Sequence, residues 1–129
     1  MEELYFLCIS RDTVVKINWC KIVYFESDGN YTAIMTVNKY KTIVGINLGS
    51  IMNELQRQLG ALSRNFVRVG KRHIINCRYF CFMNVLKQQL VLSDNERFVL
   101  ELSISRDALK KFKSDYFDSN NKEPRNLMA

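Results

Sequence analysis

Apolar and aromatic residues gather in short runs along the first third of the chain. Leu4 to Ile9 is one such run, and Thr13 to Ile17 follows after the polar Ser10-Arg11-Asp12. Ile22 to Phe25 comes next, then Asp28-Gly29-Asn30, then Tyr31 to Val37, and Asn38-Lys39 sets off Tyr40 to Val44. Short β-branched and aromatic runs broken by Asp-Gly-type turns predict strands joined as hairpins. Connections this short cannot cross over between parallel strands, so the pairing is expected to be antiparallel.

The period then changes. Leu48, Ile51, Met52, Leu55 and Leu59 recur at helical spacing, with Glu54, Arg57 and Gln58 among the outward positions. This predicts one amphipathic helix of about three turns that packs through its aliphatic stripe. Asn47 or Ser50 is placed to cap it and Gly60 to end it. Beyond it, Phe66 to Val69 and Ile74-Ile75 flank a basic turn, Gly70-Lys71-Arg72-His73. Tyr79 to Val85, Leu90 to Leu92 and Phe98 to Leu102 predict three more strands, with Asp94-Asn95-Glu96 turning between the last two. Ser105 is expected to cap a closing helical segment in which Leu109 and Phe112 share a face. Residues 118–129 are polar, hold the single proline and read as a disordered tail, which leaves residues 1–117 as one domain.

Composition narrows the class. The 129 residues are 47% hydrophobic and 25% charged, which suits one domain with its own core and excludes wholesale disorder. No apolar run approaches the ~20 residues of a membrane span, and Met1-Glu2-Glu3 lacks the basic start of a secretory signal. A cytoplasmic protein without membrane insertion is therefore expected. Cys8, Cys20, Cys77 and Cys81 contain no C-x-x-C pair, and Cys77 with Cys81 makes at most half a zinc site. The expectation is four thiols in a reducing compartment and no bound metal.

The net charge of +6 is unevenly distributed. No acidic residue lies between Glu54 and Asp94, an interval that carries Arg57, Arg64, Arg68, Lys71, Arg72, Arg78 and Lys87. Elsewhere acidic residues slightly outnumber basic ones, so the whole basic excess belongs to this one third of the chain. A one-sided field favours a polyanion, through phosphate contacts and counterion release. The basic residues do not line the polar face of an amphipathic helix, which argues against a lipid surface.

Enzyme constellations are missing. His73 is the single histidine, the glycines are too scattered for a phosphate loop, and Glu26 and Asp28 belong to turn chemistry beside a hairpin. Nucleic-acid chemistry is better served. Arg pairs bidentately with guanine, Lys reaches the same edge, and Asn suits adenine. The segment Arg64 to His73, the tip Asp28 to Tyr31 and the pair Ser105-Arg106 offer such groups on three loops far apart in sequence.

The order of these motifs resembles the LytTR DNA-binding domain of bacterial transcription regulators. Ile22-Val23-Tyr24-Phe25-Glu26 running into Asp28-Gly29-Asn30-Tyr31 is similar to the family's apolar strand, acidic end and turn closing on Tyr. The helix Leu48 to Leu59 follows in place. Phe66-Val67-Arg68-Val69, Lys71-Arg72 and Ile74-Ile75-Asn76 resemble its F-x-R-v-h-r-s-x-i-v-N signature, and Leu90-Val91-Leu92-Ser93-Asp94 and Ile104-Ser105-Arg106 resemble its last two segments. The likeness covers about residues 13 to 113. It implies a mainly β, elongated antiparallel fold of about ten short strands with one or two short helices. It also implies loops, rather than a recognition helix, entering the major groove of double-stranded DNA at repeated half-sites, with no cofactor.

Carried over by position, Asn30 and Tyr31 would contact DNA from the first tip, Lys71 and Arg72 from the basic turn, and Arg106 from the last loop. Arg64 and Arg68 would reach phosphates, as would Arg57. Asn76 is expected to hold the loop through backbone hydrogen bonds, and Glu26 to be structural, because a carboxylate near phosphates repels them unless it orients a basic neighbour. Two departures stand out. Gly70-Lys71-Arg72 occupies the place of a His, a basic or polar residue, and Ser, which predicts a shifted or broadened base preference. The residues before Thr13 leave no room for a receiver domain, so the sequence reads as a stand-alone regulator or a fragment of a longer one. Its partners would be DNA, a second copy on DNA, and a membrane-bound or receiver-containing regulator. Two other readings remain: a β-rich interaction module docking an acidic partner or another regulator, and an RNA-binding module whose exposed aromatics stack on bases.

Overall fold

The computed structural model describes residues 4–118. Along them run the strands β1 (Tyr5–Ile9), β2 (Val14–Asn18), β3 (Ile22–Asp28), β4 (Tyr31–Thr36) and β5 (Lys41–Val44), then helix α1 (Leu48–Leu59). Strands β6 (Phe66–Val69), β7 (His73–Asn76), β8 (Phe80–Asn84), β9 (Gln89–Ser93) and β10 (Val99–Ser103) follow, then helix α2 (Arg106–Phe112), continued by a π-helical segment at Lys113–Asp118. The strands form three antiparallel sheets: β1-β2, β5-β4-β3-β7-β6 and β10-β9-β8.

The five-stranded sheet is buried on both faces, which explains the continuous apolar runs of its central strands. Phe25, Ile34, Phe66 and Ile74 face the stripe Leu48, Ile51, Leu55 and Leu59 of α1, together with Phe6 and Cys8 of β1. Tyr24, Val69 and Ile75 face the other way, against Leu90, Leu92 and Leu102 of the small sheet and Leu109 and Phe112 of α2. A register shift between Ile22 and Tyr24 turns Val23 onto the same side as Tyr24. Burying each such side chain contributes roughly 1.5–3 kcal/mol, so this sheet anchors everything attached to its ends.

Caps act where the sequence pattern places them. Asn47 Oδ1 accepts from the Ser50 N–H at 2.9 Å, and Gly60 ends α1 at φ +56°. Ser105 Oγ accepts from the Ala108 N–H at 3.2 Å to open α2. Three 3₁₀ turns, Trp19–Lys21, Gly60–Asn65 and Cys77–Tyr79, lie where the pattern of apolar residues predicts strand or plain loop. The last of these shortens β8: Asn76 Oδ1 accepts from the Arg78 N–H at 3.1 Å and winds Tyr79 out of the strand. β3 is longer than its apolar run, because Glu26, Ser27 and Asp28 carry the ladder to the hairpin tip. Of the tail expected at residues 118–129, Asp118 closes the π-helical segment and the rest lies outside the described residues.

Candidate nucleic-acid interface

Asn30 and Tyr31 stand at the β3–β4 tip. Asp28 pairs with Tyr31 across the ladder, which leaves Gly29-Asn30 as a two-residue turn. Gly29 takes φ +66°, the sign that a type II′ turn demands at its first central position. The Tyr31 side chain is exposed, with its ring lying over Gly45.

Lys71 and Arg72 occupy the β6–β7 turn. Val69 pairs with His73, so Gly70-Lys71-Arg72 makes the whole connection. Gly70 takes φ +71°, and a Cβ on it would stand 3.2 Å from the Ala108 Cβ. The glycine therefore serves two needs, a left-handed backbone and the close approach of α2. A histidine at this position, as in the resembling signature, meets both obstacles. Arg68 points outward from β6 and its guanidinium donates to the Lys71 carbonyl at 3.0 Å, bracing the turn.

The two tips touch. Glu26 of β3 lies opposite His73 of β7, so the end of one strand runs beside the start of the other. The Ser27 N–H donates to the Arg72 carbonyl at 2.8 Å, and the Arg72 guanidinium reaches the Ser27 carbonyl at 3.5 Å. The Glu26 carboxylate lies 3.8 Å from Arg72 and 3.3 Å from His73 Nε2. Burial pushes the His73 imidazole below its usual value of 6.5; the pull of Glu26 opposes this and Arg72 adds to it. Burial thus holds His73 toward its neutral form, with the Glu26 carboxylate set between its Nε2 and the Arg72 guanidinium. Glu26 lies against a basic neighbour, Arg72, on the inner side of the tip.

Ser105 and Arg106 join from the other side. A cleft of about 500 Å³ between the β6–β7 turn and α2 is lined by Lys71, Arg72, Ser105 and Asp107, among others. Arg106 is exposed at the first position of α2, and its Nε donates to the Leu86 carbonyl at 3.2 Å. Behind it, the Ile104 N–H donates to the Gln88 carbonyl at 3.1 Å. Three tips from distant parts of the sequence thus form one edge, bearing Asn30, Tyr31, Arg68, Lys71, Arg72 and Arg106, with Asp28 and Asp107 as exposed acids on it.

Arg64 and Arg57 lie elsewhere. Arg64 precedes β6, at the end opposite the turn, about 13 Å of strand away, and its Nε donates to the Ala61 carbonyl at 3.4 Å. Arg57 sits in the last turn of α1 and is paired with Glu54. Asn76 is fully buried at the end of β7 away from the basic turn, opposite Phe66, so it does not hold that loop as expected; its Nδ2 donates to the carbonyls of Ile22 at 2.8 Å and Trp19 at 3.3 Å and fastens the β2–β3 connection instead. Among the described residues no group of three His, Cys, Asp or Glu side chains is arranged to hold a metal.

A family model for the LytTr DNA-binding domain matches residues 12–116. The chain belongs to the LytTR family. Its fold matches the LytTr DNA-binding domain assigned to a methyl-accepting/DNA response regulator of Bacillus cereus, with a TM-score of 0.57, over 88% of this chain and 96% of that one. The two are 15% identical, a level at which the likeness speaks for the fold alone. No curated protein matches the chain in sequence. A LytTR domain is a DNA-binding domain, so DNA is its partner and transcription regulation its general setting. Among the described residues no helix is long and apolar enough to cross a membrane. The sequence reading of the LytTR domain missed one neighbour of the edge, the β8–β9 turn under Arg106. Nothing local marks it, because its place depends on how the small sheet docks against α2.

Proposed function

We propose that this LytTR domain binds double-stranded DNA sequence-specifically, with loops in the major groove, and so regulates transcription in a bacterium. The observation that carries the reading is the joined edge, or rim: the Ser27–Arg72 backbone bond ties the first two tips together, and α2 packs close against Gly70 at the third. The helices suit the task less well. α1 spends its apolar stripe on the core, and α2 offers only its first residues.

Within the rim the roles divide by position. Arg68, outward on β6 behind the turn, and Arg72, beside Glu26, serve as phosphate anchors. Lys71, at the middle of the β6–β7 turn with no ion pair among the described residues, and Arg106, exposed at the start of α2, contribute most to base choice. Asn30 and Tyr31 extend the contact from the first tip, whereas Arg64 and Arg57 stand outside it. Two copies on repeated half-sites, and a membrane-bound or receiver-containing regulator supplying the signal, complete the proposal.

Selection from a random duplex library at about 150 mM salt tests it, since that ionic strength suppresses purely electrostatic binding. The expected result is an enriched motif repeated about one helical turn apart. On the selected duplex Arg106→Ala costs about 1–3 kcal/mol, and little on random DNA. Absence of any enriched motif from folded protein overturns sequence-specific reading.

A further inference from the structure

Lys87 belongs to the acid-free interval of the sequence but to none of the three tips. It sits in the β8–β9 turn, where Asn84 pairs with Gln89 and leaves residues 85–88 as the connection. The turn is built for a fixed shape. Gln88 takes φ +54°, Asn84 Oδ1 accepts from the Lys87 N–H at 2.9 Å, and the Gln88 N–H donates to the Val85 carbonyl at 3.1 Å. Its outer residues are solvent-facing: Leu86 is 75% exposed, the highest value among the exposed large hydrophobic residues, and Lys87 is exposed beside it.

The turn is fastened to the DNA-binding rim at two points. The Leu86 carbonyl accepts from Arg106 Nε at 3.2 Å, and the Gln88 carbonyl accepts from the Ile104 N–H at 3.1 Å. Lys87 therefore lies one residue from the atom that holds Arg106. No ion pair engages its ammonium among the described residues, whereas Lys111 and Lys113 of the neighbouring helical segment are paired with Asp115 and Asp118. A leucine and an unpaired lysine side by side on a rigid turn match a duplex surface: apolar contact suits deoxyribose and thymine methyl groups, and a lysine suits a phosphate.

We infer that the β8–β9 turn is a fourth element of the DNA interface, with Lys87 taking a backbone phosphate next to the base contacted by Arg106 and Leu86 packing against the adjoining nucleotide. The inference rests on the DNA-binding rim proposed above. It adds a contact on the far side of Arg106, so the rim runs from the β3–β4 tip through the β6–β7 turn and the start of α2 to this turn.

The test measures affinity of the whole chain for the selected duplex and for an unrelated duplex of equal length, at salt from about 50 to 200 mM. The proteins are the parent, Lys87→Ala, Lys87→Gln and Lys71→Ala, each with its circular dichroism checked against the parent. One phosphate contact contributes a slope of about 0.9 in log K against log salt. Lys87→Ala and Lys87→Gln should each lose about 3.5-fold less affinity than the parent across that fourfold salt range, and bind more weakly on both duplexes at the low-salt end. Wild-type affinity and slope in both Lys87 variants, with Lys71→Ala impaired, would remove the turn from the interface and leave the rim standing. Parental behaviour of all three variants would overturn the rim and the turn together.

Discussion

Asn76 offers the sharpest test of how the end of the five-stranded sheet opposite the rim is held. The side chain is fully buried and makes three hydrogen bonds, to the carbonyls of Ile22 (2.8 Å) and Trp19 (3.3 Å) and from the N–H of Arg78 (3.1 Å). Asn76→Ala removes all three. The Trp19 carbonyl keeps a second donor in the Ile22 N–H, so the cost falls mainly on the Ile22 carbonyl and the Arg78 N–H. Each buried group left without its partner costs about 1–3 kcal/mol, which puts the loss for the two at roughly 2–6 kcal/mol. A domain of this size has roughly 5–15 kcal/mol in all, so the variant should still fold but with a melting temperature lower by about 10–20 °C. Urea unfolding followed by fluorescence suits the question, because Trp19 is the single tryptophan and lies at the perturbed site. The expected signature is a lower midpoint at unchanged slope. Asn76→Asp should cost at least as much, since it keeps the acceptor for Arg78 but sets a carboxylate against two carbonyls. A loss below about 1 kcal/mol in Asn76→Ala would refute the reasoning, because the two backbone groups would then have other partners.

Gly70→Ala and Gly29→Ala both place a Cβ at positive φ, a strain of about 1–2 kcal/mol; only Gly70 also has a neighbour in the way, at 3.2 Å. The Gly70 variant should be the less stable in thermal melts and should lose DNA affinity beyond what Gly29→Ala loses; equal effects would mean that α2 adjusts freely. Acidification should destabilise the fold through His73. Its folded-state pKa lies below the unfolded value of 6.5, so the unfolded chain binds the extra proton first, and stability falls as pH drops below about 6.5 and is restored above it. His73→Gln should flatten that part of the pH–stability curve, and an unchanged curve would contradict the assignment. Gln58 clamps the edge of β1, its amide donating to the Leu7 carbonyl at 2.7 Å and accepting from the Leu7 N–H at 2.8 Å. Gln58→Ala should cost about 1 kcal/mol and speed hydrogen exchange at Leu7 relative to β3 amides.

Local pattern carried much of the fold. The 3.6-residue recurrence of Leu48, Ile51, Leu55 and Leu59 and the Asn47 cap give α1 its bounds, since a helix in contact with one sheet face must repeat at that period. β3 and β7 announce themselves as apolar runs because both their faces are covered. The extension of β3 through Glu26, Ser27 and Asp28 was not legible. Those polar residues join the strand through pairing with β4, and their side chains carry no hydrophobic signal.

The basic interval shows where sequence proximity misleads. Seven cations adjacent in the chain read as one field, but strand reversal separates them. Lys71 and Arg72 turn at one end of the five-stranded sheet, whereas Arg64 sits at the other. Arg57 pairs with Glu54, and the Arg78 guanidinium lies 5.9 Å from the ring centres of both Trp19 and Tyr79. Conversely, Arg106 is remote in sequence yet joins the edge, because α2 packs against Gly70. The neutral His73 beneath Arg72 likewise depends on the β3–β7 register, which no short-range pattern encodes.

Backbone hydrogen exchange of the whole chain, free and bound to its selected duplex, tests the joined rim most directly. The account predicts slowed exchange at residues 28–31, 70–72 and 104–107, with the α1 surface around Arg57 and the segment around Arg64 unchanged. Slowing centred on α1 and residues 60–65, with the three tips unaffected, would contradict it.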